Sequence, residues 1–311
     1  METLLVILLI IYSSIFVVGF TGNLIMVLVT FHSKHLNSIC NMLICACCFC
    51  DLLLFTDIIA FMISMFIPIT QEMCFYINIP ADFGAFASNA CVLAVGIDRL
   101  LAVYNPSKYK QYESDKPKYV CLILFLPIVY SITLLAVGVT QRDPYRNVAC
   151  LLPESLGVAY KLFALSSFVI NLFVPPIYLY VFFKIRNIRL KNSAHSIFKS
   201  LMVTVILVVC GWMTTDLIGV LTVVIPMDPE VARMIQLYCG TFIFSSSSFN
   251  VFVYYKMSKD YRSAIRTMLR FKFNKTDIYG TGTYENRRSS AVAKSTGKIS
   301  TVPGGASYNG N

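Results

Sequence analysis

The chain reads as long apolar runs broken by short polar stretches. The runs fall at 4–31, 39–68, 75–104, 119–140, 158–185, 198–225 and 233–256. A helix that crosses a bilayer needs about 20 mostly apolar residues, and all seven runs reach that length. Strands of a membrane barrel would alternate apolar and polar positions over about ten residues, and no such alternation occurs. The pattern predicts seven membrane-spanning helices. No internal repeat is visible, which argues against a transporter built from duplicated halves. The first run follows Met1-Glu2-Thr3 directly, lacks a basic start and carries Gly22-Asn23 within it. It reads as the first span, since a cleaved signal would be shorter and basic at its start.

After the seventh run the period changes. Tyr261, Ile265, Met268 and Leu269 recur at i, i+4, i+7 and i+8, with Lys259, Arg262, Arg266 and Arg270 between them. Ser258 stands where a helix cap belongs. These residues predict a basic amphipathic helix lying on the membrane surface, with membrane lipid as its partner. Residues 272–311 are rich in Gly, Ser, Thr and Lys and are expected to be a disordered cytoplasmic tail. The domain boundary is therefore placed between 1–271 and 272–311.

Composition agrees with this reading. Apolar residues make up 57% and charged residues 14%, with a mean hydropathy of +0.68; a soluble domain carries about 25% charged residues. The basic residues set the orientation. With the N-terminus outside, 22 of the 26 Lys and Arg fall on the inner side and only Arg142, Arg146, Lys161 and Arg233 on the outer. The expectation is a multi-pass plasma-membrane protein with its C-terminus in the cytoplasm. The net charge of +10 then reflects topology and attraction to anionic lipid, with no nucleic-acid partner implied.

Candidate chemistry is sparse. His32, His35 and His195 lie in inner loops without acid–base spacing, and no P-loop, HExxH or GxSxG is present, so no enzyme, cofactor or metal cluster is predicted. Of eleven cysteines, nine fall in or against apolar runs and behave as small apolar residues. Cys74 and Cys150 alone lie on the outer, oxidising side, where a bridge is favoured over two unpaired thiols. The charged pair Asp98-Arg99 closes the third run. It reads either as a helix-end ion pair or as a switch whose arginine changes partners, because charges inside a bilayer are costly unless paired.

Taken together, these landmarks resemble the rhodopsin-like G-protein-coupled receptors. Arg99 lies 25 residues after Cys74, and Pro106 seven after Arg99; Asp98-Arg99-Leu100 is similar to the Asp-Arg-Tyr motif of that family. Gly22-Asn23 matches its first helix, and Asn41 with Asp51 its second. Asn250-Val251-Phe252-Val253-Tyr254 resembles the seventh-helix Asn-Pro-x-x-Tyr. The resemblance spans residues 4–271. Val251 replaces the motif proline, Leu100 the motif tyrosine, and Cys210-Gly211-Trp212 lacks the proline that follows the sixth-helix aromatic switch. These departures, with the short N-terminus and short third inner loop, resemble the SRSX group of nematode serpentine chemoreceptors.

The resemblance implies a receptor for an extracellular ligand, a chemosensory small molecule or a peptide, that activates a heterotrimeric G protein. Asp98, Arg99, Asn250 and Tyr254 would form the coupling switch. Asn23, Asp51, Ser88, Ser246 and Asn250 would gather in a pocket that can hold sodium at Asp51; a plain hydrogen-bond cluster is the alternative. Ligand-pocket candidates are Asp57, Ala81, Asp82, Trp212 and Asp216. The three acids suit a cationic ligand, or else each pairs with a donor on a neighbouring helix. Ala81 occupies the position of the amine-anchoring aspartate of aminergic receptors, with Asp82 one step away. Pro175-Pro176 falls where the fifth-helix bulge shapes the ligand cavity, or forms a structural kink. Ten Ser or Thr from Thr276 to Ser307 would serve receptor kinases and arrestin. The missing prolines imply missing kinks. No acid stands in Asn192-Ser193-Ala194-His195-Ser196 at the foot of the sixth helix, leaving Asp98 as the main restraint on Arg99. A seven-helix ligand-gated channel or transporter is the alternative from another class.

Overall fold

A computed structural model describes residues 2–141, 143–187 and 192–280. Its long helices are α1 (Glu2–His32), α2 (Ile39–Leu54) continued by α3 (Thr56–Ser64), and α4 (Gln71–Tyr104). A short α5 (Pro106–Ser114) leads into α6 (Lys116–Thr140), and a short α7 (Leu152–Leu156) leads into α8 (Ala159–Asn187). The chain continues through α9 (Asn192–Val224), α10 (Pro229–Ser248), α11 (Asn250–Met257) and α12 (Lys259–Gly280). The bundle is the unit Met1–Arg270.

Beside an apolar core, many polar side chains are buried and many large apolar ones are exposed, an arrangement that a bilayer favours. Asn23, Asp51, Asp57, Asn78, Asp82, Asn89, Asp98 and Asn171 lie inside the bundle, whereas Leu122, Phe125 and Leu126 of α6 point outward. Every backbone polar group in hydrocarbon must be satisfied within the protein, so helices are the natural spanning element. Among the described residues six helical segments are long and apolar enough to cross. The seventh predicted span is α10 with α11. It falls short of an uninterrupted apolar helix because four serines, Ser245 to Ser248, precede a break at Phe249.

This break occurs without a proline. Ser246 and Ser248 donate their hydroxyls to the carbonyls of Ile243 (2.8 Å) and Phe244 (2.7 Å). Such back-bonding competes with the main-chain ladder and bends helices. The Phe249 N–H bonds to the Ser246 carbonyl, three residues back, at 3.3 Å. A similar interruption at Phe55 separates α2 from α3, with the Thr56 hydroxyl on the Leu53 carbonyl at 2.6 Å. Both breaks sit within four residues of an important polar group, Asp51 or Asn250.

One end of the bundle is closed by a disulfide. Cys74, in the first turn of α4, bonds Cys150 with Cα atoms 5.3 Å apart. Beside it, β1 (Ile69–Thr70) pairs antiparallel with β2 (Asn147–Val148). The Ser64 hydroxyl accepts the Cys150 N–H at 3.0 Å, fixing the same loop to the end of α3. At Gly157 the chain takes φ of 54°, which favours glycine, and the Gln71 side chain occupies the space a Cβ would need. Cys150→Ser should lower stability by about 2–5 kcal/mol, measured as thermal unfolding of the purified protein; an unchanged midpoint would mean the hairpin alone holds this loop.

At the opposite end, Ser258 caps α12, its hydroxyl accepting the Tyr261 N–H at 3.4 Å. Tyr261 and Ile265 are buried and Met268 half-buried, while Leu269 is exposed. The Tyr261 ring packs 5.1 Å from that of Tyr254. The second unit, Phe271–Asn311, is helical as far as Gly280, whereas composition predicts disorder from 272. Residues 272–279 contain neither glycine nor proline, so helical propensity persists to Gly280. The tail from 281 onward, with most of the candidate phosphorylation sites, lies outside the described residues.

Candidate functional site

The sequence-predicted residues gather in three places along the bundle axis. At the end opposite the disulfide, Asp98 and Arg99 occupy the penultimate turns of α4. Asp98 is fully buried and accepts from Arg99 Nε at 2.7 Å, and Arg99 Nη2 forms a second, close contact with the same oxygen. A third partner comes from α5, which the motif reading did not assign. The Tyr109 hydroxyl donates to the other Asp98 oxygen at 3.1 Å and lies 2.7 Å from Arg99 Nη2. The guanidinium also lies 5.7 Å from the centre of the Tyr109 ring, within cation–π range.

The local sequence explains why Tyr109 is there. Asn105 caps α5 by accepting the Lys108 N–H at 3.2 Å, and Pro106 starts the helix, where a missing N–H costs nothing. One turn later Tyr109 turns back toward α4 and meets Tyr119 of α6 edge-on at 6.1 Å. Burial raises the Tyr109 phenol above its usual range, so it stays protonated and able to donate. Asp98 therefore restrains Arg99 together with Tyr109. The side chains at the foot of α9, residues 192–201, lie outside the described ones.

In the middle of the bundle Asp51 accepts from Ser88 Oγ (2.6 Å), Asn250 Nδ2 (2.9 Å) and Ser247 Oγ (3.4 Å). Asn23 reaches the Ser247 carbonyl at 3.1 Å and, at 3.5 Å, accepts from Asn250. The structure therefore brings Asn23, Asp51, Ser88 and Asn250 together, but not Ser246. That hydroxyl turns to its own helix, beside Gly211. Ser247 replaces it because the chain tightens at Phe249. In a turn with i to i+3 bonding, residues three apart eclipse, which aligns Ser247, and not Ser246, with Asn250.

One carboxylate, two hydroxyls and the buried, unpartnered Asn250 Oδ1 form an oxygen-rich set, the donor type that hard cations take. Asp51, Ser88, Ser247 and Asn250 are the residues that would hold sodium. A cavity extends from Asp51 to Tyr178 and Tyr254. Tyr254 is buried at its far side.

Toward the disulfide end a second cavity is lined by Asp57 and Asp216 together with Trp212, Tyr12, Tyr160 and Phe163. Asp57 accepts from Asn78 Nδ2 at 2.8 Å. Asp216 accepts from Ser167 Oγ at 2.6 Å and from Asn171 Nδ2 at 3.1 Å. Two ligand candidates stand elsewhere. Asp82 is fully buried, both its oxygens taking the Ser155 hydroxyl at 3.0 and 3.1 Å, and neither it nor the buried Ala81 lines the cavity. One step along a helix is about 100°, and Asp82 turns to the α7 segment.

The chain matches, over residues 16–269, the family described as serpentine type 7TM GPCR chemoreceptor Srsx. It is also 24% identical over 286 residues to the human (Homo sapiens) neuropeptides B/W receptor type 2, covering 84% of this chain and 85% of that protein. The matched region takes in the Asp98-Arg99 pair, the Asp51 cluster and, apart from Tyr12, the cavity between α3 and α9. The chain belongs to the serpentine 7TM GPCR chemoreceptor Srsx family, a family of multi-pass membrane receptors.

Proposed function

We propose that this receptor sits in the plasma membrane with its N-terminus outside, takes an extracellular ligand at the disulfide end and activates a heterotrimeric G protein at the Arg99 end. The observation that carries this reading is the closed Asp98–Arg99–Tyr109 group at one end of α4. A cavity lies toward the other end of the bundle. A ligand with higher affinity for the arrangement in which Arg99 is released shifts the population toward it. A G protein that binds the released form must in turn tighten the ligand by the same factor.

The ligand is a chemosensory small molecule, as the family's description supports, or a peptide, as the name of the human relative supports. The basic face of α12 meets anionic lipid, and the serine-rich tail serves receptor kinases and arrestin. Screening ligands against the expressed receptor with a second-messenger readout tests the reading. A ligand whose affinity is unmoved by adding G protein would count against coupling.

Sodium at Asp51 would favour the inactive arrangement, because a cation held among α2, α4, α10 and α11 ties these helices together. Replacing sodium with a bulky organic cation in the medium should raise ligand-independent signalling about twofold to fivefold, a shift worth less than ~1 kcal/mol. Asp51→Asn should remove that sodium dependence. Equal dependence in both proteins would leave the cluster as a hydrogen-bond joint between helices.

A further inference from the structure

The cavity beneath the α7 segment has an unusual balance of charge. Two carboxylates, Asp57 from α3 and Asp216 from α9, line it, and no Lys, Arg or His does among the described residues. Both acids are almost fully buried. Their hydrogen-bond partners are all neutral: Asn78 and the Leu152 backbone for Asp57, and Ser167 with Asn171 for Asp216. A buried carboxylate without a cation is unfavourable, and acids inside a membrane bundle mark binding or transport paths.

Asp216 is also oriented. Both of its hydrogen bonds arrive at Oδ2, and Ser167 is itself held by Asn89 Nδ2 at 2.7 Å. Among the described residues Oδ1 receives no hydrogen bond. Trp212, one helical turn before Asp216 on α9, is completely buried, and its indole N–H has no partner. The remaining wall is aromatic: Tyr12, Tyr160 and Phe163, with Phe163 meeting the Trp212 ring edge-on at 6.3 Å. Aromatic faces attract cations. A cavity that joins apolar walls to a few convergent polar groups is the usual form of a small-molecule site.

We propose that this cavity binds a small organic cation. Its ammonium or guanidinium group sits at Asp216 Oδ1 with Asp57 as second counter-charge. Its body packs on the Trp212, Tyr160 and Phe163 rings. The proposal names the ligand class of the receptor reading above and rests on it. Asp82 plays no part, since Ser155 occupies it and it does not reach the cavity.

Trp212 is the sole tryptophan of the chain, so its fluorescence reports this cavity directly and without any G protein. The full chain, purified in lipid nanodiscs, is titrated with butylamine, benzylamine, phenethylamine and 1,4-diaminobutane, and with the neutral alcohols of the same skeletons. At least one amine should change Trp212 emission saturably, its matched alcohol should not, and its affinity should fall roughly tenfold or more in Asp216→Asn and in Asp57→Asn. Asn is nearly isosteric with Asp, and thermal unfolding of each variant verifies its fold; the amine–alcohol comparison on the unaltered chain needs no variant. No saturable change with any amine, alcohols that titrate as tightly, or affinity unchanged in both variants would overturn the proposal. Amine binding without any nucleotide exchange on the G protein would instead leave the cation site standing and count against the receptor reading.

Discussion

Asp98→Asn should raise ligand-independent signalling about fivefold, and Arg99→Ala should abolish coupling while leaving the protein at its normal level on the cell surface. Asp98 is fully buried, while the Arg99 side chain is one-fifth exposed, so losing the carboxylate charge removes the strong, charge-assisted part of the contact. Only the exposed edge of Arg99 gains water. We expect the closed arrangement to lose about 1 kcal/mol, a roughly fivefold change in population. Tyr109→Phe removes one donor to Asp98 and one partner of Arg99 but keeps the ring. It should raise basal signalling by a smaller factor, about twofold, and add little in the Asp98→Asn background because the two act on one group. Second-messenger levels normalised to surface staining measure all three. A silent Asp98→Asn receptor at normal surface level would mean that the pair only caps α4.

Gly84→Ala should destabilise the bundle by about 2–3 kcal/mol and strongly reduce the amount reaching the surface. A Cβ at Gly84 would lie 2.5 Å from the Leu54 nitrogen and 2.6 Å from the Cys50 carbonyl oxygen, with the Leu53 Cβ at 2.8 Å. Two of these neighbours are backbone, so no side-chain rotation relieves the clash. The contact falls just before the break at Phe55, where α2 gives way to α3. Small residues permit this close approach between membrane helices, where packing rather than hydrophobic expulsion drives association. Moving α2 away from α4 would also pull Asp51 from Ser88, which are joined at 2.6 Å. Thermal unfolding of the purified variant checks this, and a midpoint equal to that of the unaltered chain would show that α2 can shift freely.

The spanning helices were legible because length and apolarity alone distinguish a membrane helix, and no packing detail is needed. The Cys74–Cys150 bridge was legible because so few cysteines lie outside the apolar runs. Asp98-Arg99 stood out because paired charges at the end of an apolar run are rare. The helix breaks were not legible from proline, since at Phe249 the agent is serine back-bonding. The run Ser245 to Ser248 carried that signal. Missing the break misassigned Ser246, because a regular helix and a tightened turn differ by one residue in phase.

Tyr109 escaped notice because it lies in α5, between two spans, and motif spacing along a span says nothing about what a connecting segment folds back onto. The Asn105-Pro106 start of α5 was its available sign. Of the four acids, Asp51, Asp57 and Asp216 reach cavities while Asp82 is sealed by Ser155. That difference depends on which way one side chain turns, and α7, which supplies Ser155, belongs to no apolar run.

The proposed function has the chain signal by engaging a G protein and not by carrying ions. The most direct test places the purified receptor in planar bilayers and in nanodiscs, and measures ion current in the first and nucleotide exchange on a purified heterotrimeric G protein in the second. The account predicts exchange above receptor-free nanodiscs, raised by Asp98→Asn and absent in Arg99→Ala, with no current under any ligand. A ligand-gated current without G protein, together with exchange no higher than in empty nanodiscs, would contradict it.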